Sequence, residues 1–247
     1  MITKFLVNRA MLSGRIIVII FFITLSHDLS GRVSQQDKSF ILIDLNDSVF
    51  QDTLREKQVL YNGRIWRNLY YSVEGDQFLF SDSFLPAKLT IRSKEFPDIT
   101  LKYDIYKDEI LIPLNTGRIL QLNKEMVDSF TLVWQNRKFH FTKLAIDNLT
   151  GYVNVLYNGK SALYVRYSKR IEKLAEQGKY DKFYQTSETY FERDGIIHPI
   201  SGKRDLKNIL KADKALINSF IRKNKLNLSI KNPESYIPLI RYLDNIR

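Results

Sequence analysis

The stretch Ile99-Thr-Leu-Lys-Tyr-Asp-Ile105 alternates apolar and polar side chains without a break. A side-chain period of two places Ile99, Leu101, Tyr103 and Ile105 on one face of a strand and leaves the other face wet. The same alternation returns in Leu89 and Ile91 around Thr90, in Phe130, Leu132 and Trp134, and in Phe139 and Phe141 around His140. Half-wet strands belong to antiparallel sheet, because parallel strands are buried on both faces and read as continuous apolar runs. No strand–helix–strand rhythm is present. The sequence therefore predicts a β-rich region over about residues 39–200.

Turn chemistry supports hairpins. Asn158-Gly159 separates 151–157 from 160–167, and Asp194-Gly195 separates Thr189-Tyr-Phe191 from Ile196-Ile197. Such pairs supply the two positive-φ residues of a type I′ turn. Asn62-Gly63 is a third candidate. The run Val59-Leu-Tyr-Asn-Gly-Arg64 comes back as Val155-Leu-Tyr-Asn-Gly-Lys160, with five identities and one conservative change. A duplicated strand–turn unit and convergent turn chemistry both account for it, and either makes both copies hairpins.

After residue 200 the apolar spacing becomes helical. Ser201 can cap a helix carrying Leu206, Ile209 and Leu210, and Asp213 a second one carrying Leu216, Ile217, Phe220 and Ile221. Asn232-Pro233 opens a third with Tyr236, Ile237, Ile240 and Leu243 inward, which Pro238 can delay or kink. Shorter helices are expected near 48–58 and 169–177. The expected class is α+β: an antiparallel, meander-like sheet over about 39–200 within a β-rich domain of 32–200, and a helical segment, 201–247, packed on the same domain.

Residues 1–31 read as an export signal. Lys4, Arg9 and Arg15 precede the uncharged run Ile16-Ile-Val-Ile-Ile-Phe-Phe-Ile-Thr-Leu25. Ten helical residues reach about 15 Å, half of a hydrocarbon core of about 30 Å, so the run suits a signal peptide better than a span. An uncleaved anchor is the alternative, and the cleavage site is poorly marked, with Thr24 and Ser26 as small residues. Removing Lys4, Arg9 and Arg15 against Asp28 takes the formal charge from +11 to +9. The roughly 215 residues that remain can bury a core without disulfide or metal staples.

The chain has no cysteine. That excludes thiolate metal sites, cysteine nucleophiles and a lipid-modified cysteine anchor. Abundant Lys, Ile, Asn and Tyr fit a bacterial envelope. On that route the sequons at Asn46, Asn148 and Asn227 carry no glycosylation. The periplasm or outer-membrane periphery of a Gram-negative bacterium is the expected location.

Catalytic signatures are scarce. Among three histidines, His27 ends the export segment, His140 lies between two phenylalanines and His198 precedes Pro199. Neither HExxH nor GxSxG occurs. Gly159-Lys-Ser161 lacks the earlier glycine of a phosphate-binding loop, since position 154 is Asn154, and it leads into a strand. Asp44, Asn46 and Ser48 begin like a calcium loop, but Val49 holds the required glycine position. No cofactor or metal is expected. The best acidic group is Asp104, Asp108 and Glu109, which could run glycoside hydrolysis or hold a cation, or could simply solubilise a turn.

The basic surplus is more informative. Residues 200–231 hold nine Lys and Arg against Asp205 and Asp213, a net +7. On a continuous helix Lys203, Lys207, Lys211, Lys214 and Lys225 would share one face, beside the apolar stripe. Such a face can meet anionic lipid, lipopolysaccharide or another polyanion. Nucleic acid is not an expected partner of an exported chain. A row of Trp66, Tyr70, Tyr71, Trp134, Tyr164, Tyr167, Tyr184 and Tyr190 could stack sugars, although strand aromatics more often fill a core.

Three strings, Leu60-Tyr-Asn-Gly-Arg-Ile-Trp-Arg-Asn-Leu-Tyr70, Leu101-Lys-Tyr-Asp-Ile-Tyr-Lys-Asp108 and Gly151-Tyr-Val-Asn-Val-Leu-Tyr-Asn-Gly-Lys160, stand with the tail Ser219-Phe-Ile-Arg-Lys-Asn-Lys-Leu226. Together they resemble a group of uncharacterised exported proteins of Bacteroidota-type bacteria, over most of the mature chain. The resemblance implies an envelope location and transfers no functional residue. The leading expectation is a non-enzymatic envelope protein that binds a protein or an anionic envelope component. A hydrolase using the 104–109 acids and a polyanion binder are the alternatives.

Overall fold

Each alternating stretch lies in a strand. The computed structural model describes residues 58–146, 149–173 and 181–246, all within a unit running from Asn46 to Arg247. The export segment, the strand expected from residue 39 and nearly all of the helix expected near 48–58 lie outside the described residues. Among the described residues there are eleven strands: β1 Gly63–Ile65, β2 Leu85–Ile91, β3 Lys94–Asp104, β4 Glu109–Pro113, β5 Ile119–Leu122, β6 Val127–Trp134, β7 Arg137–Ile146, β8 Leu149–Asn158, β9 Ser161–Glu172, β10 Lys182–Arg193 and β11 Ile196–Ile200. Three short helices follow: α1 Lys203–Ile209, α2 Lys214–Lys223 and α3 Ile237–Asn245.

The strands pair antiparallel in the order β1-β5-β4-β3-β2-β6-β7-β8-β9-β10-β11. A plain meander would set β6 beside β5. Instead the chain turns at a 3-10 segment, Lys124–Met126, and β6 returns to pair with β2. Alternation cannot show this return, because it fixes which face a residue takes and not which strand lies beside it.

The inward face is aromatic. Tyr103, Phe130, Phe141 and Tyr152, one each from β3, β6, β7 and β8, pack with ring centroids 4.8–6.0 Å apart. The sheet curls, so the end of β3 reaches β9, where Lys169 N–H donates to the Ile105 carbonyl at 3.1 Å. The helix expected over 169–177 is not formed at 169–172, which end β9. Partners across the sheet hold Lys169 extended: its ammonium donates to the carbonyls of Asp76 (2.8 Å) and Phe78 (2.7 Å).

Turn chemistry decides some connections and not others. Asp194 and Gly195 take φ of 54° and 76°, the two left-handed residues expected between β10 and β11. Asn158 and Gly159 do not take positive φ, so the β8–β9 turn is not type I′. A bulge between Val155 and Tyr157 shifts its register. That connection is still a hairpin, whereas the matching segment at 59–64 is not. Residues 58–60 are helical, and Gly63 starts β1, an edge strand paired to β5. The two copies therefore adopt different structures.

The helical tail covers one face of β9–β11. Leu206, Leu210, Ile217, Tyr236, Ile240 and Leu243 pack with Leu163, Phe191 and Ile200 in one buried cluster. Each such side chain contributes roughly 1.5–3 kcal/mol of burial. Gly202, not Ser201, is the cap residue of α1, and Asp205 reaches back to accept from Ser201 N–H at 2.8 Å. Pro238 falls in the first turn of α3, where a missing N–H is tolerated, after a 3-10 turn at Pro233–Tyr236.

Candidate functional site

The acids Asp104, Asp108 and Glu109 surround the β3–β4 turn but do not converge. Asp104 and Glu109 are directly opposed in the ladder. Asp104 is buried: its Oδ1 accepts from the N–H groups of Tyr106 and Lys107, both at 2.9 Å, closing the turn. Its Oδ2 is buried without a hydrogen-bond partner among the described residues. Burial, reinforced by the Glu109 charge, pushes its carboxyl up to about 6. Glu109 faces Arg64 of β1 at 3.6 Å.

Asp108 turns the other way. It sits at φ 58° and plants its carboxylate on β8. Oδ1 accepts from the Tyr103 hydroxyl at 2.6 Å and from Tyr152 N–H at 3.4 Å, while Oδ2 pairs with the Lys124 ammonium. Gly151 admits this contact. It holds φ 116°, and a methyl group there would overlap the Asp108 carboxylate. Burial and the Asp108 charge push both the Tyr103 and Tyr152 hydroxyls well above the ordinary tyrosine range. Lys124 is aimed by the 3-10 turn, whose cap Asn123 accepts from Glu125 N–H at 3.1 Å.

Chemically, the arrangement is a clamp. Asp108 ties the β3–β4 turn to β8 and to the connection that leads into β6. Its carboxylate already holds an ammonium and two donors, and Asp104 is closed off from solvent. Among the described residues no group of three or more His, Asp or Glu side chains could hold a metal ion. His140 pairs with Thr131 across β6–β7 (3.1 Å), and burial lowers its pKa. His198 stands opposite Phe191 in the β10–β11 ladder.

The five lysines do not share one continuous helix. Leu210, at φ −96° and ψ 49°, ends α1, and a 3-10 turn over Lys211–Asp213 separates it from α2. Lys203 lies on α1, Lys211 in the 3-10 turn and Lys214 at the start of α2, while Lys225 follows α2 at φ 50°. These four are exposed; Lys207 is half-buried and donates to the Asn218 side chain. The aromatics form no single row: Tyr164 and Tyr190 are buried, Trp134 stacks on Phe80, and Tyr71 is 86% exposed.

A second clamp carries no local sequence signal. Asp244 of α3 is buried against the β8–β9 turn, where it accepts from Ser161 N–H (2.9 Å), Ser161 Oγ (2.8 Å) and the Tyr157 hydroxyl (3.1 Å). A side chain at Gly159 would overlap both Tyr157 and Asp244. The Asn-Gly pair thus makes room for a helix carboxylate rather than a type I′ turn. The chain matches no protein-family model, no curated protein and no solved structure.

Proposed function

We propose that this chain is an exported envelope protein that acts by binding, and that its helical tail is the surface that meets an anionic envelope component. One observation carries the reading. Of the nine Lys and Arg side chains in 200–231, all but Lys207 are exposed, and among the described residues none is within ion-pair distance of an acid. The two acids of the segment have partners of their own. Asp205 is held by Ser201, and Asp213 is buried 3.7 Å from Arg193.

In an α+β arrangement of this kind the curled sheet is the scaffold and the tail is the presented face. Apolar residues of α1–α3 point into the cluster with β9–β11, which sends the cations outward. Each cation near an anionic bilayer contributes about 1 kcal/mol, falling within a Debye length of about 8–10 Å. No helix of the described residues is long and apolar enough to cross a membrane, so contact by the tail is peripheral. The Bacteroidota-type resemblance and the export segment belong to the same proposal.

Co-sedimentation with phosphatidylglycerol–phosphatidylcholine vesicles tests the contact. Binding is expected at 50 mM salt, lost at 500 mM, and absent with phosphatidylcholine alone. Lys203→Glu, Lys211→Glu and Lys223→Glu together should abolish it, whereas Arg118→Glu on the β4–β5 loop should not. A wild-type chain that ignores anionic vesicles at low salt removes this reading. Cell fractionation with sequencing of the mature N-terminus tests the export half separately.

A further inference from the structure

The last strand pairing leaves a gap. β10 pairs with β9 along its whole length, from Lys182 to Arg193, but with β11 only from Thr189 to Arg193. At the other end Phe183 N–H donates to the Glu74 carbonyl at 3.0 Å, and Glu74 bridges Lys182 in parallel. Main-chain groups of alternate residues point to the same side of a strand. Phe183 and Thr189 both pair outward, so Gln185 and Ser187 point their N–H and C=O groups outward too. Among the described residues no strand meets them, and both are exposed.

We infer that this gap in the outer edge of β10 takes an extended peptide as an added strand. The inference rests on the reading of the chain as a binding protein and names a second, peptide partner for it. Three features support it. The edge already accepts main-chain pairing on both sides of the gap, parallel from Glu74 and antiparallel from β11. The gap spans about 20 Å from Phe183 to Thr189 at about 3.4 Å per residue, room for a short strand. Its sequence, Tyr184-Gln-Thr-Ser-Glu188, has neither the lysine nor the proline that commonly blunts an exposed edge. The one charge, Glu188, is turned to the Tyr190 hydroxyl at 2.8 Å.

The occupant can be specified further. Where β11 leaves the edge, a cleft opens between β10, β11 and the tail, lined by Tyr190, Pro199 and Ile230 together with Glu188 and Asp205. Its lining has two carboxylates and no basic side chain. Hydrogen bonding by Ser201 holds the Asp205 carboxyl below its ordinary range, so it stays charged. An incoming strand that continues the line of β11 lays a side chain over this cleft. A lysine or arginine there meets complementary charge. Main-chain pairing supplies affinity and the cleft supplies selectivity, as in sheet-edge recognition generally.

The test is selection of the intact chain against a phage-displayed library of random nonapeptides, followed by synthesis of the enriched sequences. Enrichment in Lys or Arg among β-forming residues is expected, and titration should protect the Gln185 and Ser187 amides from hydrogen exchange. Ser187→Pro removes an outward donor and no β9 ladder bond, and should weaken binding about tenfold. A peptide N-methylated at alternate residues should lose affinity similarly on the wild-type chain, which keeps the test independent of how the variant folds. No enriched peptide, acid-rich peptides, or binding indifferent to both changes would overturn the proposal. So would amide protection that grows with protein concentration alone, which would assign the edge to a second copy. Vesicle binding that persists while peptide binding fails leaves the membrane reading standing; loss of both sinks the binding reading itself.

Discussion

A buried carboxylate with one orphaned oxygen is a stability term before it is a catalytic one. Asp104 has its folded pKa raised to about 6, mainly by burial. The folded chain therefore holds this proton more tightly than the unfolded chain does. By linkage the contribution of Asp104 is most favourable below pH 4, falls as pH rises to about 6, and is flat above. A shift of this size corresponds to about 3 kcal/mol. Asp104→Asn keeps the acceptor for Tyr106 and Lys107 N–H and removes the titration. Urea midpoints measured from pH 4 to 7 should show a decline in wild type that the variant lacks; parallel curves would refute the assignment. Asp108→Ala strands the Lys124 ammonium and the Tyr103 hydroxyl, a loss of about 2 kcal/mol at neutral pH. Gly151→Ala should be at least as damaging, because it adds a left-handed Cβ to a steric overlap, and double-mutant denaturation should show the two effects to be non-additive.

Clamps between elements are where local sequence and structure part company. Asp244 joins α3 to the β8–β9 turn through three hydrogen bonds to one carboxylate. Asp244→Ala should cost about 2–3 kcal/mol in guanidinium denaturation. Amides of α3 should exchange faster than those of β3, since the tail loses its fastening while the aromatic core does not; uniform acceleration would contradict this. Sequence alone exposed the strands that alternate, from Leu89 to Phe141, because one wet face imposes a period of two. It exposed the Asp194-Gly195 hairpin through its positive-φ pair. Arg92-Ser93 and Gln135-Asn136 adopt the same left-handed pair, at φ of 49° and 64° and of 48° and 59°, with no glycine to mark them. Val59–Gly63 and Val155–Gly159 share five residues and differ in structure, since partners far along the chain decide what a short segment becomes. For the same reason the 104–109 acids were visible as a cluster, while the turning of Asp108 away from the opposed pair Asp104 and Glu109 and onto β8 was not. The role of Asp244 depends on a helix docking on a turn more than eighty residues away.

At the scale of the molecule, charge acts in two directions that salt can separate. The formal charge of the chain is +11, and eight exposed cations on the tail lie outside ion-pair distance of any acid among the described residues. Self-repulsion opposes compaction and is screened as the Debye length falls from about 10 Å at 0.1 M to about 3 Å at 1 M. Raising salt should therefore raise Tm, by about 2–4 °C for each kcal/mol of relieved repulsion. The same screening should abolish attachment to anionic vesicles. Triple charge reversal at Lys203, Lys211 and Lys223 should reproduce both effects at low salt, with a higher Tm and lost vesicle binding. A tail held by specific ion pairs within the fold would behave otherwise: salt and charge reversal would lower Tm. Thermal unfolding at 20 and 500 mM salt, in wild type and triple variant, discriminates the two. The sign of the Tm shift decides whether these cations serve the fold or face outward from it.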